Sequence, residues 1–286
     1  MKHSWLFYTL ITIMIWATTA AVSKMTFASM EFASFLLWMT LFCTLGLFVI
    51  LLFQRKLHLL KSYTLKEHAW LFSLGALSMF LYNLFYFLAI NSGSAVQANI
   101  LNYTWPLWIV IFSVIILKEK AGLRTFLGIL LSFVGIVIVV TRLDFTSFAS
   151  AAPLPVIYAL LGAAFWGLFC VLSKKVKFEA FSSMFFYSLY GLLLVFVYAI
   201  IKNAVSLPSF SGIIGTFYVG AVTTGIGFTF WIKALASGKT SIVANLAYLI
   251  PFLSLVFIYF LVGEKMYLMQ LVGLVVIVLG ILVQKR

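Results

Sequence analysis

The chain has 286 residues, 65% hydrophobic and 9% charged, with a mean hydropathy of +1.19 and a formal net charge of +13. Soluble domains run nearer 45–50% apolar and about 25% charged, so this composition excludes a water-soluble globular protein and indicates a polytopic membrane protein. The 19 basic residues sit in short loops between apolar runs, which fits membrane topology and argues against a nucleic-acid partner.

Ten apolar segments are predicted as membrane-crossing helices: 5–25, 33–53, 68–90, 95–117, 123–141, 155–174, 181–201, 211–233, 240–262 and 267–284. Each approaches the roughly 20 residues a bilayer demands. The first, with Lys2 ahead of an apolar run ending in Ala17-Thr-Thr-Ala-Ala, imitates a signal peptide. It is read as a mature helix, because its pattern recurs inside the chain: Trp16, Ser23 and Lys24 return 150 positions later as Trp166, Ser173 and Lys174.

A second offset, 145, relates the later segments. Gly75-Ala76, Ala89, Gly93, Tyr103, Pro106, Glu119-Lys120, Gly128 and Gly135 reappear as Gly220-Ala221, Ala234, Gly238, Tyr248, Pro251, Glu264-Lys265, Gly273 and Gly280. The change of offset is expected from a loop at Gln54–His68 five residues longer than its counterpart. The chain therefore divides into two five-helix halves, 1–145 and 146–286. Five is odd, so the second half enters from the opposite side, giving an all-α fold of ten transmembrane helices in two inverted repeats.

Charge predicts the orientation. With the N-terminus inside, fifteen basic residues fall on the cytoplasmic side and four (Lys24, Arg142, Lys202 and Lys265) outside, a positive-inside asymmetry that puts both termini in the cytoplasm.

Segment four, Asn99 to Leu117, is the least ordinary. Asn99, Asn102, Tyr103 and Trp105 carry polar groups into the apolar zone, and Pro106 is expected to kink the helix by removing an N–H and clashing with the Asn102 carbonyl. Such freed groups are tolerated at membrane depth only beside protein or a water-filled cavity. Segment nine repeats the design with Tyr248 and Pro251, so Pro106 and Pro251 are candidate gating kinks. Gly128 and Gly135, like Gly273 and Gly280, are seven apart and share a face suited to helix packing or to a homodimer contact.

No catalytic set is visible. The six acidic residues, Glu31, Glu67, Glu119, Asp144, Glu179 and Glu264, all lie in loops or at boundaries, which argues against a conventional proton-coupled pump. His3, His58 and His68 have no metal-ligand spacing, and no P-loop or cofactor motif occurs, so no metal or cofactor is expected. Cys43 and Cys170 read as small apolar side chains. Trp5, Trp38 and Trp70 read as interfacial or packing residues. The candidate binding set is aromatic and amide: Trp16, Tyr82, Tyr86, Asn99, Asn102, Tyr103, Trp105, Trp166, Trp231 and Tyr248. Lys24 and Lys174 are expected to snorkel to the interfaces or to meet a substrate carboxylate.

The two five-helix repeats, Trp16 to Lys24 in the first segment, and Glu119 and Glu264 after the fourth and ninth resemble the EamA branch of the drug/metabolite transporters. Asn102-Tyr103-Thr104-Trp105-Pro106 is similar to the NYxWP signature of the YddG-type aromatic amino acid exporters. That resemblance implies a central cavity lined by Trp16, Tyr82, Tyr86, Tyr103, Trp105 and Trp166. It also implies a secondary transporter of the bacterial inner membrane, exporting aromatic or hydrophobic amino acids or related metabolites by alternating access. Uptake or exchange of a nucleotide-sugar-like or cofactor-like metabolite is the alternative on the same fold. The expected partners are a small-molecule substrate and membrane lipid.

Overall fold

The structure, a computed structural model, describes residues 4–27, 30–92, 101–141, 143–144, 146, 153–262 and 267–285. Among them the chain runs through ten helical segments. The first half holds α1 (Ser4–Phe27), α2 (Phe32–Phe53), α3 (Leu65–Gly75 continued by Ala76–Leu81 and Tyr82–Ser92), α4 (Trp105–Ile116) and α5 (Leu123–Thr141). The second holds α6 (Pro153–Lys175), α7 (Ala180–Ile201), α8 (Phe210–Phe217, Tyr218–Ile226 and Gly227–Ser237), α9 (Thr240–Leu246 and Leu249–Val262) and α10 (Leu268–Lys285). Among the described residues, five stretches are long and apolar enough to cross a bilayer by themselves: Phe32–Phe53, Leu65–Tyr86, Pro153–Lys175, Ala180–Ile201 and Phe210–Ser237. Large apolar side chains such as Ile115, Phe196 and Phe217 stay on the outer surface. Water would disfavour that arrangement, whereas lipid tails are as apolar as leucine.

The two halves pack through equivalent positions. A methyl group on Gly135 of α5 would lie 2.7 Å from the Gly273 carbonyl of α10, and one on Gly280 would lie 2.5 Å from the Gly128 carbonyl. These two contacts exchange under the 145 offset. Between them Ser132 donates to the carbonyl of Ile277, its own counterpart, at 3.2 Å. The glycine faces thus close α5 on α10 within one chain.

A third offset appears in α2 and α7. Glu31 and Glu179 precede these helices, 148 apart. Gly75 of α3 packs on the carbonyl of Tyr187, and Gly220 of α8 packs on the carbonyl of Met39, again 148 apart. The expectation of one five-residue loop difference is corrected accordingly. Eleven residues join α2 to α3 and eight join α7 to α8, while α1 runs two residues past the equivalent end of α6.

Sequence periodicity did not reveal one shared feature. Both α3 and α8 widen into a π-helical stretch, Ala76–Leu81 and Tyr218–Ile226, ending at positions 145 apart. Such stretches replace i→i+4 bonds by i→i+5 bonds and leave a carbonyl without its normal partner. The same carbonyl is answered differently in each half. Asn83 Nδ2 donates to Ser78 O at 3.3 Å and to Met79 O at 2.9 Å, whereas Trp16 Nε1 donates to Thr223 O at 3.0 Å. Ser78 and Thr223 are counterparts at offset 145.

Candidate functional site

The expected kink at Pro106 takes another form. Proline stands in the first turn of α4, where its missing N–H breaks no helical bond. The chain before it makes a tight i→i+3 turn, with Thr104 N donating to Leu101 O at 3.1 Å. The counterpart segment breaks at the same place: Tyr248 N donates to Asn245 O at 3.1 Å and Ile250 N to Ala247 O at 3.0 Å, ahead of α9's second piece containing Pro251. Each proline segment is therefore a broken helix rather than one bent helix. The breaks at Tyr103–Thr104 and Ala247–Tyr248 turn the chain inside the bundle.

The break places Trp105 against the middles of α1 and α8. Trp16 lies at the centre, its ring 6.4 Å from Trp105, 5.9 Å from Trp166, 5.6 Å from Phe228 and 5.3 Å from Trp231, centroid to centroid. Trp105 also meets Trp231 at 5.3 Å. Trp166 meets Tyr82 at 5.1 Å, and Tyr82 stacks on Tyr86 at 6.0 Å. Most of these rings meet edge-on or tilted, arrangements that an aromatic quadrupole favours over face-to-face sandwiches. The wall draws on α1, α3, α4, α6 and α8, and thus on both halves.

Close approach of the helices depends on residue size. Gly227 leaves room for the Trp16 indole, whose nitrogen would lie 2.6 Å from a methyl group there. Thr12 Oγ1 donates to the Gly227 carbonyl at 3.3 Å, and its counterpart Gly162 packs on the α3 backbone at Tyr82 and Tyr86.

Polar handles divide the tryptophans. The Trp16 N–H is occupied by Thr223 O, and the Trp231 N–H by Cys170 Sγ at 3.2 Å. Trp105 and Trp166 have no hydrogen-bond partner for their indole N–H among the described residues. Tyr82 stands beside Asn102, whose Oδ1 is sealed and unpartnered among the described residues. Tyr86 and Tyr103 both lie near Tyr82. All three keep partial exposure.

The structure thus brings together Trp16, Tyr82, Tyr86, Asn102, Tyr103, Trp105, Trp166 and Trp231. It does not bring Tyr248 to the wall. That side chain is fully buried among Val110, Ile129, Ile136 and Ile277, with a hydroxyl lacking a partner among the described residues. Asn99 and the Lys24 side chain lie outside the described residues. Phe228, which the sequence did not single out, joins the wall 4.4 Å from Trp166. Its signal was the adjoining Gly225-Ile226-Gly227 run, small residues that let helices approach closely.

Lys174 is engaged with protein. Its Nζ lies 2.7 Å from Glu119 Oε1 and 2.7 Å from Thr240 Oγ1, and Thr240 donates to the same carboxylate at 2.9 Å. This network ties the end of α6 to the α4–α5 turn and the start of α9, below the aromatic wall. At the neighbouring edge, partial burial raises the Glu179 carboxyl. The Lys56 ammonium at 2.7 Å and the Ser182 N–H outweigh that effect and hold it below its ordinary range. Trp38, read as interfacial, donates to Ser206 O at 2.8 Å. Among the described residues no group of three His, Cys, Asp or Glu side chains is arranged to hold a metal.

Comparison with known proteins gives one family. Residues 3–141 and 153–284 each match the EamA-like transporter family. An uncharacterized transporter of Acidianus ambivalens is 29% identical over 190 residues, 66% of this chain and 73% of the relative. The aromatic amino acid exporter YddG of Salmonella typhimurium is 20% identical over 166 residues, 56% of each chain. A solved crystal structure covers 100% of both chains with a TM-score of 0.84 at 22% identity, a likeness of fold.

Proposed function

Because the chain belongs to the EamA-like transporter family, we propose that it is a secondary transporter exporting amino acids or related small metabolites, aromatic or hydrophobic amino acids foremost, by alternating access. The observation that carries this reading is the wall of Trp16, Tyr82, Trp105 and Trp166, drawn from both halves and bordered by partly exposed phenols. Aromatic faces suit an apolar or π-rich cargo, and a few convergent polar groups suit its orientation. The exporter named above supports the same cargo class for this chain.

In this reading the two inverted halves rock about the wall, with the broken segments before Pro106 and through Pro251 as the places where helix direction changes. The positive-inside charge split supports an inner-membrane protein with both termini cytoplasmic. The Lys174–Glu119–Thr240 network then closes the cytoplasmic end.

Counterflow in proteoliposomes tests the proposal. Vesicles preloaded with unlabelled L-phenylalanine should accumulate labelled L-phenylalanine, and competition by a panel of metabolites should rank aromatic and large apolar amino acids first. Exchange of a nucleotide sugar with no response to any amino acid would contradict it.

A further inference from the structure

Four tryptophans form the wall, and they are chemically unequal. Trp16 and Trp231 direct their indole N–H groups at the Thr223 carbonyl and the Cys170 sulfur. Trp105 and Trp166 are as deeply set, 4% and 2% exposed, yet their N–H groups have no partner among the described residues and are not among the sealed polar atoms. A buried N–H without an acceptor is costly, and interior tryptophans normally find one. The rings that carry these two donors come from opposite halves, with centroids 6.4 Å and 5.9 Å from that of Trp16. Lys174, a cation on the same helix as Trp166 that a cargo anion would otherwise favour, is occupied by Glu119 and Thr240.

We infer that the Trp105 and Trp166 indole N–H groups form the subsite for the cargo's hydrogen-bond acceptor, a carboxylate in the amino-acid reading on which this inference rests. Trp16 and Trp231 supply ring surface only, because their donors hold the protein's own backbone and sulfur. Neutral donors suit a transporter. They pair with an anion without a fixed charge that would have to be re-solvated when the site opens, and they lower the cost of leaving water for a carboxylate.

The test compares binding of L-phenylalanine, 3-phenylpropionate and phenethylamine to the purified full chain in detergent by calorimetry. The last keeps the ring and amine but lacks the carboxylate. The parent should bind both carboxylates at least about 10-fold more tightly than the amine, the size expected of a hydrogen bond to a charged group. Trp105→Phe and Trp166→Phe keep a ring and remove the N–H, so each should reduce that preference several-fold. Trp16→Phe and Trp231→Phe should retain the preference even where overall affinity falls. Each variant is compared by its own ratio, and only those eluting as the parent does on size exclusion are used. The inference is overturned if the preference survives in both Trp105→Phe and Trp166→Phe, or if Trp16→Phe abolishes it equally. Binding of L-phenylalanine with no preference over phenethylamine in the parent overturns the subsite and leaves the transport reading standing. Failure of all three probes to bind the parent overturns both.

Discussion

Trp16 and Trp166 stand 150 positions apart, occupy the same place in the two halves, and meet with ring centroids 5.9 Å apart at an interplanar angle of 67°. Such a contact arises when a pseudo-twofold axis passes close to both rings. The same axis explains why Ser132 bonds its counterpart Ile277 and why the glycine contacts of α5 and α10 come in an exchanging pair. An inverted repeat thus brings counterpart residues into contact both at the α5–α10 seam and in the aromatic wall.

The paired glycines of α3 and α8 carry a stability prediction. A Cβ at Gly75 would sit 2.6 Å from the Tyr187 carbonyl, and one at Gly220 would collide with that of Met39. Neither backbone can yield without moving a whole helix. Gly75→Ala and Gly220→Ala should each cost about 1–3 kcal/mol, as overpacking does, read as a lower melting temperature in detergent. Gly122→Ala, with open space around it, should leave the melting temperature unchanged.

The Lys174–Glu119 pair predicts non-additivity. Removing one partner leaves the other partly buried beside Thr240 without its counter-charge. The side chains are 20% and 28% exposed, so solvent screens part of the effect. Glu119→Gln and Lys174→Met should each lower thermal stability. The double variant should be less destabilised than their sum, with a coupling of roughly 0.5–3 kcal/mol. Strict additivity would show that the pair contributes nothing beyond its separate contacts.

Glu179 predicts a pH dependence. Its carboxyl is held below the ordinary 4.5 when folded, despite the burial that opposes this, because Lys56 and the Ser182 N–H favour the anion. The folded chain therefore keeps this charge to lower pH than the unfolded chain. Its contribution is present above pH 4.5 and is lost as pH falls through the folded value. The melting-temperature difference between parent and Glu179→Gln should be constant from pH 7 down to about pH 5 and shrink below. A difference that grows on acidification would reverse the assignment.

Orientation is checked by single cysteines. Replacements at Ser92 and Lys202 should react with an impermeant thiol reagent from outside intact cells, while those at Lys61 and Lys177 should react only after permeabilisation. Native Cys43 and Cys170 are buried and should stay silent. Reactivity of Ser92→Cys from the cytoplasm alone would break the inverted arrangement.

Much of this was legible in the sequence because repetition is a property of spacing. Trp16 with Trp166 and Gly128 with Gly273 announced both halves before any coordinates. The π-helical stretches were not legible, since a single i→i+5 shift leaves apolar content unchanged and shows only where Trp16 or Asn83 takes the freed carbonyl. Pro106 was readable as a kink but not as a break that starts a new helix, because the tight turn at Tyr103–Thr104 depends on tertiary packing. Tyr248 matched Tyr103 by offset, yet close packing of α5, α9 and α10 encloses it. Equivalent positions in the two halves need not share an environment. Lys174 was ambiguous because its acceptor, Glu119, lies 55 positions away.

In the proposed transport cycle, cargo meets the aromatic wall around Trp105. L-phenylalanine counterflow in proteoliposomes, measured for parent, Trp105→Ala, Tyr86→Ala and Trp70→Phe at matched reconstitution, tests it most directly. Loss of a stacking partner is worth about 0.5–1.5 kcal/mol beyond area, so Trp105→Ala and Tyr86→Ala should slow exchange several-fold or more at subsaturating substrate. Trp70→Phe, outside the wall, should match the parent. Parent-like exchange by Trp105→Ala, or an equal loss in Trp70→Phe with normal folding, would put the site elsewhere.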